Sequence, residues 1–302
     1  MPWTLQPRTL GAVLALGLTI AVALGITNVS FGQSAADGAL VLDVLTFNAA
    51  LLPVVAAETR QAERAGRMAQ HLVGYDVLVL QEVFVNSWRE ALLDELADAY
   101  PYRGDLVGSD GARMMPWRQD GGVIILSRWP VERRATHLFE TTCSGSDCLA
   151  DKGVGYVAIR VGERRVHVFG THAQSVYGAR PREVRAAQFA QMQAFVAAQA
   201  IPPDEPVVLA GDFNVDAFTD ELDAMLATLR ATWPEVVGDV HATWDPAANA
   251  FAGGRRVQWL DYVLVSSDHA APAAAWNRAL PLRDGDLDLS DHFAVHGRLV
   301  WE

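Results

Sequence analysis

Short apolar runs, each ending in an amide, a carboxylate or an imidazole, recur along this chain and limit what it can fold into. Val77-Leu-Val-Leu80 leads into Gln81-Glu82, Pro206-Val-Val-Leu-Ala210 into Gly211-Asp212, and the β-like run Val41–Phe47 into Asn48. Runs of this length are too short for a membrane span and suit strands buried inside a sheet. Between them lie stretches with helical spacing. Residues 58–72 place Ala65, Met68, Ala69 and Leu72 on one face, 88–96 form a second helix, and 181–199 carry a proline near the first turn. Further strands are expected at 121–127, 131–139, 259–265 and 293–300, and 154–161 and 166–170 flank Gly162-Glu163-Arg164 as a hairpin. Strands that occur both in hairpins and in alternation with helices define an α/β chain whose helices can cover two stacked sheets. No linker rich in Gly, Ser or Pro and no internal repeat divides it, so 38–302 is expected to be one domain.

The polar residues at the strand ends are Asn48, Glu82, Asp120, His172, Asp212, Asn214, Asp261 and the pair Asp291-His292. A sheet interior is a costly place for a carboxylate unless it has a task there. Singly, each has a plain structural reading: Asn48 as a turn residue, Glu82 as a helix N-terminal carboxylate, His172 as a core histidine. Together they form a set of hard oxygen and imidazole donors with no thiolate, which suits Mg²⁺ or a similar divalent cation and not a closed zinc site. One carboxylate with several waters is an ordinary Mg²⁺ arrangement, so Glu82 with Asn48 suffices.

Charge and the N-terminus narrow the setting. With 24 Lys and Arg against 36 Asp and Glu, the net charge of −12 leaves no broad footprint for nucleic acid. Gly11–Ile26 is apolar or small throughout, follows a lone Arg8, and is shorter than a span of about 20 residues. Residues 1–36 are therefore expected to be a signal peptide and a short polar stretch, and the protein to be secreted; a retained N-terminal membrane anchor is the alternative. In an exported chain Cys143 and Cys148 close one local disulfide, and in a cytosolic chain they are free thiols.

Gln81-Glu82, Gly211-Asp212-Phe213-Asn214, Leu260-Asp261-Tyr262 and Ser290-Asp291-His292 follow the order used by the endonuclease/exonuclease/phosphatase superfamily, which this chain resembles. Tyr100-Pro101-Tyr102, Asp120–Pro130, Lys152-Gly153, Gly170–Ser175 and above all Ala242-Thr-Trp-Asp-Pro-Ala-Ala-Asn249 narrow the likeness to the bacterial neutral sphingomyelinases. The resemblance runs from about Leu42 to Trp301. It implies a DNase I-like four-layer α/β sandwich, two stacked mixed β-sheets flanked by helices, acting as a Mg²⁺-dependent phosphodiesterase, with other divalent cations possible. The substrate it implies is sphingomyelin in membranes or micelles, cleaved to ceramide and phosphocholine. Glu82, Asn48 and Asp291 would serve the metal, and His292 would activate water with its other ring nitrogen held by Asp261. Asp212, Asn214 and His172 would bind the phosphate, steer the leaving alkoxide or help hold a second metal, and Asp120 and Lys152 would contact substrate. The alternative within the superfamily is a nuclease or an inositol-phosphate phosphatase.

The likeness thins before the last motif. Haemolytic members of the family carry an extended aromatic hairpin there, whereas residues 277–290 of this chain hold no aromatic and three acids. The hairpin is expected to be short or absent. Peripheral membrane contact would then fall to Met114, Met115 and Trp117, an apolar loop flanked by Arg113 and Arg118, in a protein expected to be a monomer.

Overall fold

Two mixed β-sheets stack on each other, and the alternation of side chains along their strands shows why. The computed structural model describes residues 38–57, 59–108, 119–140 and 143–302. The expected signal segment and the 114–117 loop lie outside these residues. In chain order the strands are β1 (Leu40–Asn48), β2 (Val77–Gln81), β3 (Tyr102–Arg103), β4 (Ile124–Ser127) and β5 (Val131–Leu138), then β6 (Gly153–Val161), β7 (Arg164–His172), β8 (Val207–Asp212), β9 (Ala231–Thr232) and β10 (Glu235–Val236). The last five are β11 (Asp261–Ser266), β12 (Ala274–Leu280), β13 (Arg283–Asp284), β14 (Leu287–Asp288) and β15 (Ala294–Trp301). The helices are α1 (Gln61–Met68), α2 (Asn86–Leu96), α3 (Ala179–Ala198) and α4 (Glu221–Leu229).

One sheet has the order β10-β12-β15-β1-β2-β4-β3 and the other β5-β6-β7-β8-β11-β9. In β1, Leu42 and Val44 point into the core between the sheets, while Leu45 and Phe47 point to the opposite face. In β2, Val77 and Val79 divide from Leu78 and Leu80 in the same way. A strand buried on both faces must be apolar at every position, which is why these runs lack polar alternation. Met68, Leu72, Leu92 and Leu96, from α1, the turn after it and α2, cover the outer face of the first sheet. Phe189, Met192 and Val196 of α3, with Met225 and Leu229 of α4, cover the second. The result is the four-layer sandwich expected from sequence.

Several expected bounds shift for local reasons. The 58–72 helix ends at Met68 and tightens into a 3₁₀ turn at Ala69–His71. The 121–127 strand starts only at Ile124, because Gly122 adopts φ +60° against the ring of Phe84. β12 and α4 carried too little periodic signal in the sequence and appear only in the structure. The expected short hairpin is present as β13–β14, two residues per strand, fastened by Arg283 to Asp288 and by Arg67 to Asp284.

Register then brings the chemistry together. Parallel pairing aligns Asn48 with Gln81 across β1–β2, and His172 with Asp212 across β7–β8. Antiparallel pairing of β8 with β11 sets Asp212 opposite Asp261. The carboxyl ends of parallel strands in α/β sheets open onto such crevices.

Candidate active site

His292 is buried between two carboxylates. Its Nδ1 lies 2.8 Å from Asp261 Oδ2 and its Nε2 lies 3.7 Å from Asp212 Oδ2. Burial pulls its pKa down, but the charges of Asp261 and Asp212 outweigh that and hold it well above the usual imidazole value. Ligand atoms of Asp212, Asp261 and His292 all lie within 4.8 Å of one another. The 2.8 Å contact is hydrogen-bond geometry, so the trio is an imidazole oriented by one acid and faced by another.

Asp212 is held from both sides. Its Oδ1 accepts the Asn214 backbone N–H at 2.9 Å, and its Oδ2 accepts the Asn48 side-chain amide at 3.0 Å. Burial, with the charge of Asp261 behind it, pushes Asp212 up to about 7. His172 Nε2 sits 3.7 Å from both Glu82 Oε1 and Asp212 Oδ2, and burial with the charge of Lys152 holds its pKa well below the ordinary value. Its Nδ1 and Asp261 Oδ1 are buried without a hydrogen-bond partner among the described residues.

Glu82 occupies a left-handed backbone conformation, φ 55°, that a non-glycine residue rarely adopts. Its carbonyl accepts Leu51 N–H at 3.0 Å, which ties the loop after β2 to the loop after β1. Burial and then the charge of Asp291 push its carboxyl up to about 7. Repulsion between these two partly exposed carboxylates is what a hard divalent cation relieves. The donor set, oxygen without sulfur, fits Mg²⁺.

A cavity of about 570 Å³ opens over this group and is lined by Glu82, His172, Asp212, Asn214, Asp291 and His292. The structure thus brings together eight of the ten residues singled out in the sequence. Lys152 stands behind the wall, its Nζ donating to Ala173 O at 3.0 Å. Asp120 does not line the cavity. It accepts the Gly122 N–H at 2.9 Å and pairs with Arg89 at 3.1 Å, so it supports the loop beside Glu82.

The telling 242–249 segment also has a physical role. Thr243 Oγ1 accepts the N–H of Leu260 at 2.8 Å and of Asp261 at 3.3 Å, while Thr243 O accepts Phe293 N–H at 2.7 Å. Asn249 donates to Ser290 O, and the Trp244 ring stands edge-on to His292 at 5.0 Å. One segment therefore fastens both members of the Asp261–His292 pair.

Sequence reasoning missed three buried arginines. Arg64 donates to Ala49 O, Ala50 O and Leu289 O, joining the loop after β1 to the Ser290-Asp291-His292 loop. Arg89 holds Val83 O, and Arg185 holds Gln174 O and Val176 O while paired with Glu221. Nothing in their spacing distinguishes them from surface arginines on amphipathic helices, since their partners are loop carbonyls outside the helices that carry them.

The chain is similar in sequence and in fold to known proteins. The model of the Endonuclease/Exonuclease/phosphatase family matches residues 45–292. Sphingomyelinase C of Bacillus cereus is 32% identical over 329 residues, covering 96% of this chain and 98% of that protein. Sphingomyelinase C 2 of Leptospira interrogans is 34% identical over 261 residues, and the chain spans 42% of its length. The crystal structure of sphingomyelinase C from Streptomyces griseocarneus superposes with a TM-score of 0.78 at 34% identity, covering 86% of this chain and 99% of that one. A beta toxin mutant from Staphylococcus aureus with bound magnesium ions superposes at 0.76 and 28% identity, covering 85% and 99%. The chain therefore belongs to the endonuclease/exonuclease/phosphatase family, within its bacterial sphingomyelinase C branch.

Proposed function

We propose that residues 38–302 form the catalytic domain of a secreted, divalent-metal-dependent phosphodiesterase that cleaves sphingomyelin to ceramide and phosphocholine. The observation that carries this reading is the His292 imidazole held by Asp261 on one side and facing Asp212 on the other, beside the Glu82–Asp291 carboxylates in one cavity. Glu82, Asn48 and Asp291 would hold Mg²⁺, which when bound stabilises negative charge on the phosphoryl oxygens. Asp261 accepts the Nδ1 proton, so in the neutral imidazole the Nε2 of His292 is left to take a proton from the attacking water, and because the two acids raise the His292 pKa, turnover is expected to rise with pH as that second proton is lost. The water oxygen–phosphorus bond forms as the bond from phosphorus to the ceramide oxygen breaks in line. The leaving alkoxide takes its proton from solvent, and Asp212, held by Asn48 and Asn214, would bind the phosphate or steer that alkoxide. Asn214 and His172 line the same wall and would orient the phosphate.

The mouth of the cavity suits a substrate presented by a bilayer. Val176 and Tyr177 line it while 56% and 46% exposed, and Val55, on the turn that follows Leu52, is 99% exposed. Apolar side chains of this kind enter a lipid interface. The short hairpin β13–β14 is pinned by ion pairs and offers no such surface.

The test is hydrolysis of sphingomyelin, phosphatidylcholine and plasmid DNA side by side, with Mg²⁺ or with EDTA. Phosphocholine release from sphingomyelin in Mg²⁺ only, lost in Glu82→Ala, is expected. EDTA-resistant turnover would remove the metal from the proposal, and nicking of DNA without phosphocholine release would reassign the site to a nuclease.

A further inference from the structure

The disulfide Cys143–Cys148 closes a six-residue turn that reaches the active-site wall. Within it, Gly145–Leu149 form a 3₁₀ turn that points Asp147 inward, its side chain 12% exposed. Asp147 Oδ2 accepts the backbone N–H of Ser175 at 2.6 Å, and Oδ1 accepts the Ser175 hydroxyl at 2.8 Å. The same carboxylate lies 3.2 Å from the Nζ of Lys152, a lysine only 5% exposed, whose other contact is Ala173 O. A second clamp lies beside the first: Gln174 accepts Ser144 N–H at 2.7 Å and donates to Ser144 O at 3.0 Å.

Residues 172–175 are a single exit from β7. They carry His172, the Ala173 carbonyl shared by Lys152 and Asn214, and Ser175 on the cavity wall. The disulfide turn is thus bonded to this exit at Gln174 and Ser175, and to the buried cation behind it.

We infer that Asp147 is a positioning residue for the active site, held in place by the Cys143–Cys148 disulfide, and that it sets the location of the Lys152 ammonium and of the Ser175 wall. This rests on the reading of the cavity as catalytic. The electrostatics agree, because the charge of Lys152 lowers the pKa of Glu82, Asp212 and His172 alike. The role differs from generic stapling. A turn this short constrains little of the unfolded chain, whereas it fixes one carboxylate that three groups use.

The test combines kinetics with a readout that needs no turnover. Asp147→Asn, the paired change Cys143→Ser with Cys148→Ser, and all three together are compared with wild type on a soluble chromogenic phosphocholine ester in Mg²⁺. A displacement of the wall by about 1 Å is worth up to roughly 100-fold, so kcat/KM is expected to fall by about 10- to 100-fold in Asp147→Asn, measured well below its thermal midpoint, which the unpaired Lys152 ammonium lowers. The paired serine change should lose less. The triple variant should match Asp147→Asn alone, because the disulfide acts through that residue. Hydrogen exchange over residues 172–176 should lose protection in all three variants. Losses that multiply in the triple variant, or wild-type kinetics in Asp147→Asn, overturn the inference. Unchanged protection over 172–176 overturns it too, even if wild type proves inactive on the ester, a result that by itself counts only against the proposed activity.

Discussion

His292 illustrates how a single side chain takes its chemistry from its neighbours. A free imidazole titrates near neutrality, but here one carboxylate fixes Nδ1 and a second faces Nε2. His292→Ala is expected to lower kcat by about 10²- to 10⁴-fold, the usual worth of a positioned acid–base group, with the fold retained by circular dichroism. Asp261→Asn should also slow turnover, because an amide presents a donor as readily as an acceptor and no longer selects the tautomer. Wild-type kcat in either variant would remove His292 from the role of base. The same scale explains the backbone at Glu82. A positive φ turns its carboxylate toward Asp291 and His172, and local strain of about 1–3 kcal/mol is tolerated because Leu51, Val83 and Gly122 hold the loop on both sides. Gly211 is another residue fixed by close approach. A Cβ there would lie 2.1 Å from Thr171 O, so only glycine lets β8 run beside β7 and deliver Asp212 next to His172.

Among the elements, the 242–249 segment contributes most without touching a reacting atom. It has little regular structure, yet Thr243, fully buried, bonds the backbone on either side of the Asp261–His292 contact. Thr243→Val keeps the shape and leaves the Leu260 and Asp261 N–H groups short of an acceptor. A loss of about 1–3 kcal/mol in unfolding free energy is expected by denaturant titration, together with reduced kcat, since the acid that orients His292 is loosened. Unchanged stability would show that β11 holds Asp261 unaided. The disulfide turn acts similarly at the opposite wall, through Asp147; the buried Arg89 and Arg185 each bind one loop of the site by its carbonyls, and Arg64 binds two. Strand ends carry Asn48, His172, Asp212 and Asp261, the loops that follow them or precede β15 carry Glu82, Asn214, Asp291 and His292, and side chains rooted in helices bond those loops.

Across the whole molecule, the histidine at the other end of β7 gives stability its own pH dependence. His167 is 1% exposed, with Nδ1 facing the Tyr156 hydroxyl at 2.8 Å and Nε2 facing Glu205 at 2.5 Å. Neutral imidazole satisfies both contacts if Nε2 donates and Nδ1 accepts. Burial lowers its pKa, and Glu205 offsets that only in part. In the unfolded chain the same histidine takes up a proton near pH 6.5, roughly the free value. Below that pH the unfolded state binds more protons than the folded one, so this contribution is complete above about 6.5 and declines as pH falls toward the depressed folded value. The thermal midpoint is therefore expected to drop more steeply between pH 7 and pH 5 in wild type than in His167→Gln. A domain of this size moves about 2–4 °C per kcal/mol, which scanning calorimetry resolves. Parallel slopes would place the pH sensitivity elsewhere.

What the amino-acid sequence determined by itself was the class of fold and the roster of chemical groups. Strands buried on both faces must be apolar throughout, as in Val77-Leu-Val-Leu80, and a carboxylate at the end of such a run stands out locally. Motif order along the chain carried the family. The sequence did not disclose which groups meet. Asn48 touches Asp212 across 164 positions, and Ser290 Oγ donates to Asn48 O across 242, through sheet register that no local window contains. Arg64 and Asp147 escaped notice, and Thr243 stood out only as part of its segment, because their work is done by hydrogen bonds to backbone outside any local motif or to a single buried ion. Asp120, prominent in its motif, bonds Gly122 N–H and Arg89 in the loop beside Glu82. Periodicity and residue type are local properties and can be read from a string. The distance between two carboxylates, and hence the pKa of Glu82 or the orientation of His292, exists only once strands have paired and water has been excluded around them.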